Sequence, residues 1–369
     1  MKQLPIDQTY TQDILFRLLA TPSPSGYTDR AVHLIADELD KLGIPVELTR
    51  RGAVRATLKG ETSSPDRAVV AHIDTLGAMV RALKPNGRVE LVAIGHWNAR
   101  FAEGARVTLF TDLSLHRGTI LPLKASGHTF ADEIDKQPSN WQNLELRIDE
   151  DCYSLQDLMR LGIHVGDFIA VDPQPEVLEN GYIVSRHLDD KAGAAVLMGA
   201  IKAVVDNKIL LPIDCHPLFT ISEEVGSGAS AALHGDVSEM LTLDNGTTAP
   251  GQNSSEFGVT LCMADMSGPF DYHLTHHMIH LCQEFQIPYQ RDVFRYYRSD
   301  SAAAVEAGAD LRTALATFGI DGSHGWERIH WNALESLARL VTVYMQSGPL
   351  FQRDQDDIGP RAGFPMQAG

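Results

Sequence analysis

The chain has few cysteines, no long apolar run and no excess of positive charge, and each lack removes a class of function. Its four cysteines (Cys152, Cys215, Cys262 and Cys282) are scattered through 369 residues. None forms a C-x-x-C pair, so neither a disulfide framework nor a thiolate zinc site is expected; buried thiols in a reducing compartment are. No stretch approaches the roughly 18 apolar residues of a membrane span. The opening Met1-Lys2-Gln3-Leu4-Pro5-Ile6-Asp7 has no apolar core, so no secretory signal is expected. Lys and Arg number 31 against 48 Asp and Glu, a formal net charge of −17. That charge repels phosphate backbones and anionic lipid heads, so neither nucleic acid nor a membrane is expected as a partner. No G-x-S-x-G or Walker sequence occurs, which leaves serine-hydrolase and P-loop readings without support. What remains is ordinary: 44% hydrophobic and 21% charged residues, enough for a sizeable core in two domains or one domain with an insertion. A soluble, cytoplasmic protein is the expectation.

The pattern along the chain is α/β. Val32, Ile35, Leu39 and Leu42 recur at helical spacing after Thr28, and Gly43 and Pro45 close that helix. Ala68-Val69-Val70-Ala71, Leu218-Phe219-Thr220-Ile221 and Met240-Leu241-Thr242-Leu243 are continuous apolar runs, the pattern of strands buried on both faces. Lys191 to Val205, apolar on all sides, predicts a helix packed on a parallel sheet. Residues from about 84 to 179 differ: they are strand-like and turn-rich, with one helical piece from Ser154 to Arg160. They read as a small β domain, 84–179, inserted into a discontinuous domain of residues 1–83 and 180–350. Leu334, Leu337, Val341 and Tyr344 predict a long helix from Trp331, and residues 351–369 read as a loose tail.

Chemistry-bearing residues follow the buried runs. His72 and Asp74 come directly after the first, Glu223 and Glu224 after the second, and Asp244 after the third. The carboxyl ends of strands in open α/β sheets line the ligand crevice, so these groups can converge. A fourth segment, His187-Leu188-Asp189-Asp190-Lys191-Ala192-Gly193, enters the buried helix, where adjacent acids are costly unless a cation compensates them. Imidazole and carboxylate together suit Zn²⁺, Mn²⁺ or Co²⁺. The acids exceed what one tetrahedral ion requires; a carboxylate-bridged pair of metals about 3.5–4 Å apart would use them.

Ala71-His72-Ile73-Asp74-Thr75-Leu76-Gly77, the His187 to Gly193 segment, Ile221-Ser222-Glu223-Glu224-Val225-Gly226, Leu243-Asp244 and Ser323-His324 together resemble the co-catalytic metallo-aminopeptidases. Within these they are most similar to peptidase family M forty-two, the deblocking, glutamyl and tetrahedral aminopeptidases. The resemblance runs from about Leu15 to Gln346 and includes the insertion. It implies a phosphorylase/hydrolase-like sandwich with a mixed central sheet, plus a small β-barrel-like insert. It implies that His72 and Asp244 hold one divalent ion, Glu224 and His324 the other, and that Asp189 bridges them, with a cis peptide bond after it. Zinc is the expected metal, with cobalt or manganese as alternatives. Glu223 would be the general base acting on the metal-activated water, and Asp74 would accept a hydrogen bond from the His72 ring. The family often carries an acid where Thr75 stands. The resemblance further implies subunits paired through the insert into dimers, and twelve chains closed into a hollow tetrahedron.

Other groups invite plainer readings. His273, His276, His277 and His280 form two i, i+4 pairs on different stripes of a helix without the glutamate of H-E-x-x-H, and read as a solvated polar face. His330 reads as a surface residue or a support of the site, His187 as a support or an ordinary strand-end residue. Asp190 supports the site or stabilises a helix start. Ser299-Asp300-Ser301-Ala302 resembles the family's loop near the substrate, or starts the helix of Ala302 to Glu306. The expected activity is removal of N-terminal residues from short peptides. The alternatives are hydrolysis of N-acylated amino acids or dipeptide amides, and a catalytically silent assembly scaffold.

Overall fold

The computed structural model describes residues 1–355, 359 and 361–367. A nine-stranded mixed sheet organises it. Across the sheet the strands run Val46–Leu48, Val54–Ala56, Leu211–Thr220, Gly60–His72, Val237–Thr247, Arg312–Ile320, Val259–Asp265 and Gly268–Pro269, with Tyr289–Val293 paired beside Val259–Asp265. The four at the centre, from Leu211–Thr220 to Arg312–Ile320, are mutually parallel. Their alignment puts Thr220 opposite His72 and Asp244 opposite Thr317. All four therefore deliver their carboxyl ends to one edge, as the buried apolar runs require.

Helices pack on the sheet. Leu188–Asp206 is apolar on all sides and buried along most of its length, packed on the Gly60–His72 and Val237–Thr247 strands. Gln8–Ala20 and Trp331–Met345 pack against it in turn. The helix Asp29–Lys41 ends as its sequence dictates, with Gly43 in the left-handed region at φ 75°. Thr28 makes no side-chain cap there; the first-turn Asp29 complements the helix dipole instead.

Residues between Gly77 and Val171 form a closed six-stranded antiparallel barrel. Strands Gly77–Leu83, Arg88–Ile94, Leu144–Ile148, Leu115–Pro122, Arg106–Phe110 and Phe168–Val171 follow one another around it. The first strand lies upstream of residue 84, because strand Gly60–His72 passes into it after only four residues. Val80, Val89, Leu91, Val107, Leu109, Ile120, Leu146 and Ile169 give the barrel its own core, separate from that of the sheet. Tyr27 stacks on Phe110 and Phe168 and ties the barrel back to the N-terminal turn. Among the described residues no helix is long and apolar enough to cross a membrane, and all four cysteines are buried and unpaired. Of the tail expected to be loose, Gln352–Gln355 is a short 3₁₀ turn anchored by an Asp354–Arg312 ion pair. The part of that expectation that concerns residues 356–358, 360 and 368–369 lies outside the described residues.

Candidate metal centre

Most of the functional side chains sit at or just past the carboxyl ends of the parallel strands, and Asp189 lies at the start of the helix Leu188–Asp206. Val69, Val70 and Ala71 are fully buried, and the next residue is His72. After Leu211–Thr220 the chain turns sharply: Gly226 adopts φ 81° and its N–H reaches Glu223 O at 2.6 Å. This bend brings Glu223 and Glu224, adjacent in sequence, into one site. Asp244 lies on the Val237–Thr247 strand. His324 follows Arg312–Ile320 with φ 63°, a left-handed conformation that costs energy for a side-chain-bearing residue. The peptide bond between Asp189 and Asp190 is cis.

The five expected ligands converge. Asp189 Oδ1 lies 3.3 Å from His72 Nε2 and its Oδ2 lies 3.2 Å from His324 Nε2. His324 Nε2 is 3.7 Å from Glu224 Oε2, and His72 Nε2 is 3.8 Å from Glu223 Oε2. Ligand atoms of His72, Glu223 and Asp244 lie within 4.8 Å of one another, and so do those of Asp189, Glu224 and His324. Asp189, Glu223, Glu224, Asp244 and His324 line a cleft of about 470 Å³.

Burial and neighbouring carboxylates strongly perturb these groups. Desolvation, with Asp189 close by, raises Glu224 to about 8 and Asp244 to about 7, and Glu223 is held well above the carboxylate range. Desolvation opposes charge on His324, yet its contacts with Asp189 and Glu224 raise it to about 11. Contacts with His324 and His72 keep Asp189 below its ordinary value despite burial. Three buried carboxylates and the half-buried Glu223 thus face two histidines, an imbalance that divalent cations offset. The donor set fits such ions, and His72 Nε2, buried and without a hydrogen bond, is free to ligate.

A family model described as M42 glutamyl aminopeptidase matches residues 52–340. The chain belongs to that family. It is an aminopeptidase, a hydrolase of peptide bonds. It is 36% identical to a putative aminopeptidase, YhfE, of Bacillus subtilis, over 91% of this chain and 97% of that one. Its fold is also that of the TET aminopeptidase from the marine sediment archaeon Thaumarchaeota archaeon SCGC AB-539-E09 (22% identity, 91% of this chain and 96% of that one, TM-score 0.84). A similar match is the Pyrococcus horikoshii TET1 peptidase, described as assembling into a tetrahedron or a large octahedral shell (23% identity, 91% and 99%, TM-score 0.80).

Around the candidate ligands the aminopeptidase carries a supporting set that sequence reasoning only partly found. Asp74 is fully buried; its carboxylate accepts the N–H groups of Glu223 (3.1 Å) and Glu224 (3.3 Å) and the Ser25 hydroxyl. The nearest acceptor for His72 Nδ1 is the Asp74 main-chain carbonyl at 3.0 Å, with the carboxylate at 3.5 Å. The expected carboxylate hydrogen bond is therefore a longer contact, because Asp74 turns its carboxylate to the glutamate pair. Asp190 accepts the His72 N–H at 3.2 Å, so it supports the site. Three supports were missed. Asn245 Nδ2 donates to Asp189 Oδ2 at 2.7 Å. Glu327 accepts the N–H groups of Leu188, Asp189 and His324 at 2.7, 3.2 and 2.9 Å, clamping both ligand loops. The His96 carbonyl, on the barrel, lies 2.7 Å from His324 Nδ1 and orients that ring. Only the spacing of Glu327, three residues after His324, offered a signal.

The ambiguous residues also resolve. Asp300 heads the helix Asp300–Glu306 and lines the cleft, accepting the Thr220 hydroxyl and the Ala229 N–H, both at 2.6 Å. His187 is in the left-handed region and its ring contacts Val171 O at 3.0 Å, a tie between barrel and sheet. His330 caps the last helix by accepting the Asn332 N–H. The histidines of helix Tyr272–Glu284 form no ligand group among the described residues.

Proposed function

We propose that the aminopeptidase is a dinuclear enzyme removing N-terminal residues from short peptides. His72 and Asp244 would bind one ion, Glu224 and His324 the other, and Asp189 both. The observation that carries this reading is the split of Asp189, one oxygen to each histidine at 3.3 and 3.2 Å. Zinc suits the mixed imidazole and carboxylate donors, as do cobalt and manganese. When bound, such ions polarise a carbonyl and bring the pKa of water to about 7. Glu223 holds its carboxylate on the cleft side of His72. There its Oε2 takes the proton of the attacking water and returns it to the departing amide nitrogen. Asp74 fixes the main chain of Glu223, and Glu327 and the His96 carbonyl fix His324.

We further propose that the barrel is a separate domain that joins copies of this chain into a homo-oligomer. It has its own core and displays Leu113, Leu115, Tyr153, Met159 and Val165 to solvent, and exposed apolar side chains of this kind suit subunit contact. The tetrahedral assembly described for the Pyrococcus horikoshii relative supports the same reading. The deciding assay supplies Zn²⁺, Co²⁺ or Mn²⁺ and compares free-amine with N-acetylated dipeptides. Cleavage of the first set supports the proposal; cleavage confined to the acetylated set contradicts it.

A further inference from the structure

Tyr297 stands between two cavities. It lines the 470 Å³ cleft together with Asp189, Glu223 and Asp244, and also an adjoining 820 Å³ cavity that contains Phe294, Arg291 and Arg295. Its position is well held. The ring packs on Phe294 at 5.1 Å between centroids, against a small cluster of Cys262, Phe270 and Leu315. Its carbonyl accepts the Met266 N–H at 3.0 Å, and Phe294 N–H donates to Ala264 O at 3.0 Å. The loop is thereby pinned to the Val259–Asp265 strand and its end.

The hydroxyl at the tip of this fixed ring is buried and has no hydrogen bond within normal geometry among the described residues. Its charged neighbours are the carboxylates of Asp244, which lies within hydrogen-bonding reach of the hydroxyl, and of Asp189 and Glu223. A buried polar group without a partner is destabilising, and such groups recur where a ligand or reacting atom completes the bond. Two of the three carboxylates have the ions as partners in the proposed centre, and Glu223 has the attacking water. With Asp244 turned to an ion, the Tyr297 O–H would be left as a donor bordering the cleft.

We propose that Tyr297 is a catalytic residue whose Oη–H donates a hydrogen bond to the scissile carbonyl oxygen as negative charge develops on it. This rests on the reading of the cleft as the peptidase centre. Water oxygen bonds to the carbonyl carbon while the C=O π pair moves to oxygen, giving the oxyanion. Re-formation of C=O then breaks the C–N bond, and nitrogen leaves with the proton held by Glu223. Tyr297 keeps its own proton throughout. A donor placed for the oxyanion binds the transition state better than the planar amide, which is the condition for raising kcat.

The test compares wild type, Tyr297→Phe and Glu223→Gln, all loaded with metal. Tyr297→Phe should lower kcat by roughly 10²–10³, the loss typical of one oxyanion donor, with KM and metal content near those of wild type. Calorimetry should show it weakening a tetrahedral α-aminophosphonate at least tenfold more than a free amino acid product. Unchanged kcat and phosphonate affinity would overturn the inference. So would lost metal, which would make Tyr297 a positioning residue for Asp244, or a rise in KM alone. If Glu223→Gln is inactive while Tyr297→Phe is normal, only the inference on Tyr297 fails. If Glu223→Gln is fully active, the reading of the cleft fails first.

Discussion

Replacing Asp74 by Asn probes the element that holds both glutamates in place. The wild-type carboxylate offers Oδ1 to the Glu223 N–H and Oδ2 to the Glu224 N–H and the Ser25 hydroxyl. The amide of asparagine has one acceptor and one donor. With its NH₂ toward Glu223, that N–H loses its acceptor; with its NH₂ toward Ser25, the hydroxyl can turn to accept, but the Glu224 N–H is stranded. Either way one backbone N–H is left unpaired in a fully buried place. Hydrogen bonds to charged groups contribute roughly 1.5–3 kcal/mol, and an unsatisfied buried donor adds to the loss. We expect about 2–4 kcal/mol of destabilisation in denaturant titration of the metal-free chain. A shift of the Glu223 main chain by about 1 Å can cost on the order of 10²-fold in rate, so kcat of the metal-loaded variant should fall as well. Stability within about 0.5 kcal/mol of wild type, typical of a neutral surface change, together with full activity would refute the reasoning.

Other outcomes follow from single groups. Glu223→Gln should retain both metals and the fold while kcat falls by roughly 10²–10⁴, the range for a lost acid–base group; loss of a metal would instead make Glu223 a ligand. Chelation should abolish activity, and Zn²⁺, Co²⁺ or Mn²⁺ should restore it; activity that survives exhaustive chelation would contradict a metal mechanism. His277, pushed down to about 4 by burial and by Arg67 and His280, binds its proton less readily folded than unfolded, where its pKa is about 6.5. Stability should therefore fall as pH drops from about 6.5 to about 4. In His277→Gln that slope should be shallower by at most one proton, about 1.4 kcal/mol per pH unit; identical slopes would remove His277 from the effect.

The sheet and the convergence of the candidate ligands were legible because the same physics writes both. A strand buried on both faces must be a continuous apolar run, so Ala68 to Ala71 marks itself, and the first polar residues after it stand at the crevice. The helix Leu188–Asp206 was legible for the same reason, being apolar on every side. The barrel's strands showed in alternation, but its start at Gly77 did not, since strand Gly60–His72 leads into it without a turn-rich linker. Asn245 was not legible, and Glu327 was marked only by its spacing from His324, because their work is done through space. Asn245 is an ordinary polar residue after Asp244 until the fold brings Asp189 within 2.7 Å. Glu327 lies far in sequence from the Leu188 and Asp189 N–H groups it accepts. The His96 carbonyl had no side-chain signal at all, since a main-chain oxygen orients His324. Tyr297 lacked a signal too, because the sequence marks neither the cavity it borders nor the carboxylates it faces.

Asp189 is proposed to bridge two metals. Anomalous diffraction at the zinc edge, from crystals of the zinc-loaded enzyme, tests it most directly. The account predicts two peaks about 3.5–4 Å apart, the usual spacing of a two-metal site, one beside His72 and Asp244 and the other beside Glu224 and His324, with one Asp189 oxygen on each. A single peak, or a pair with Asp189 bound to neither or to only one, would contradict it.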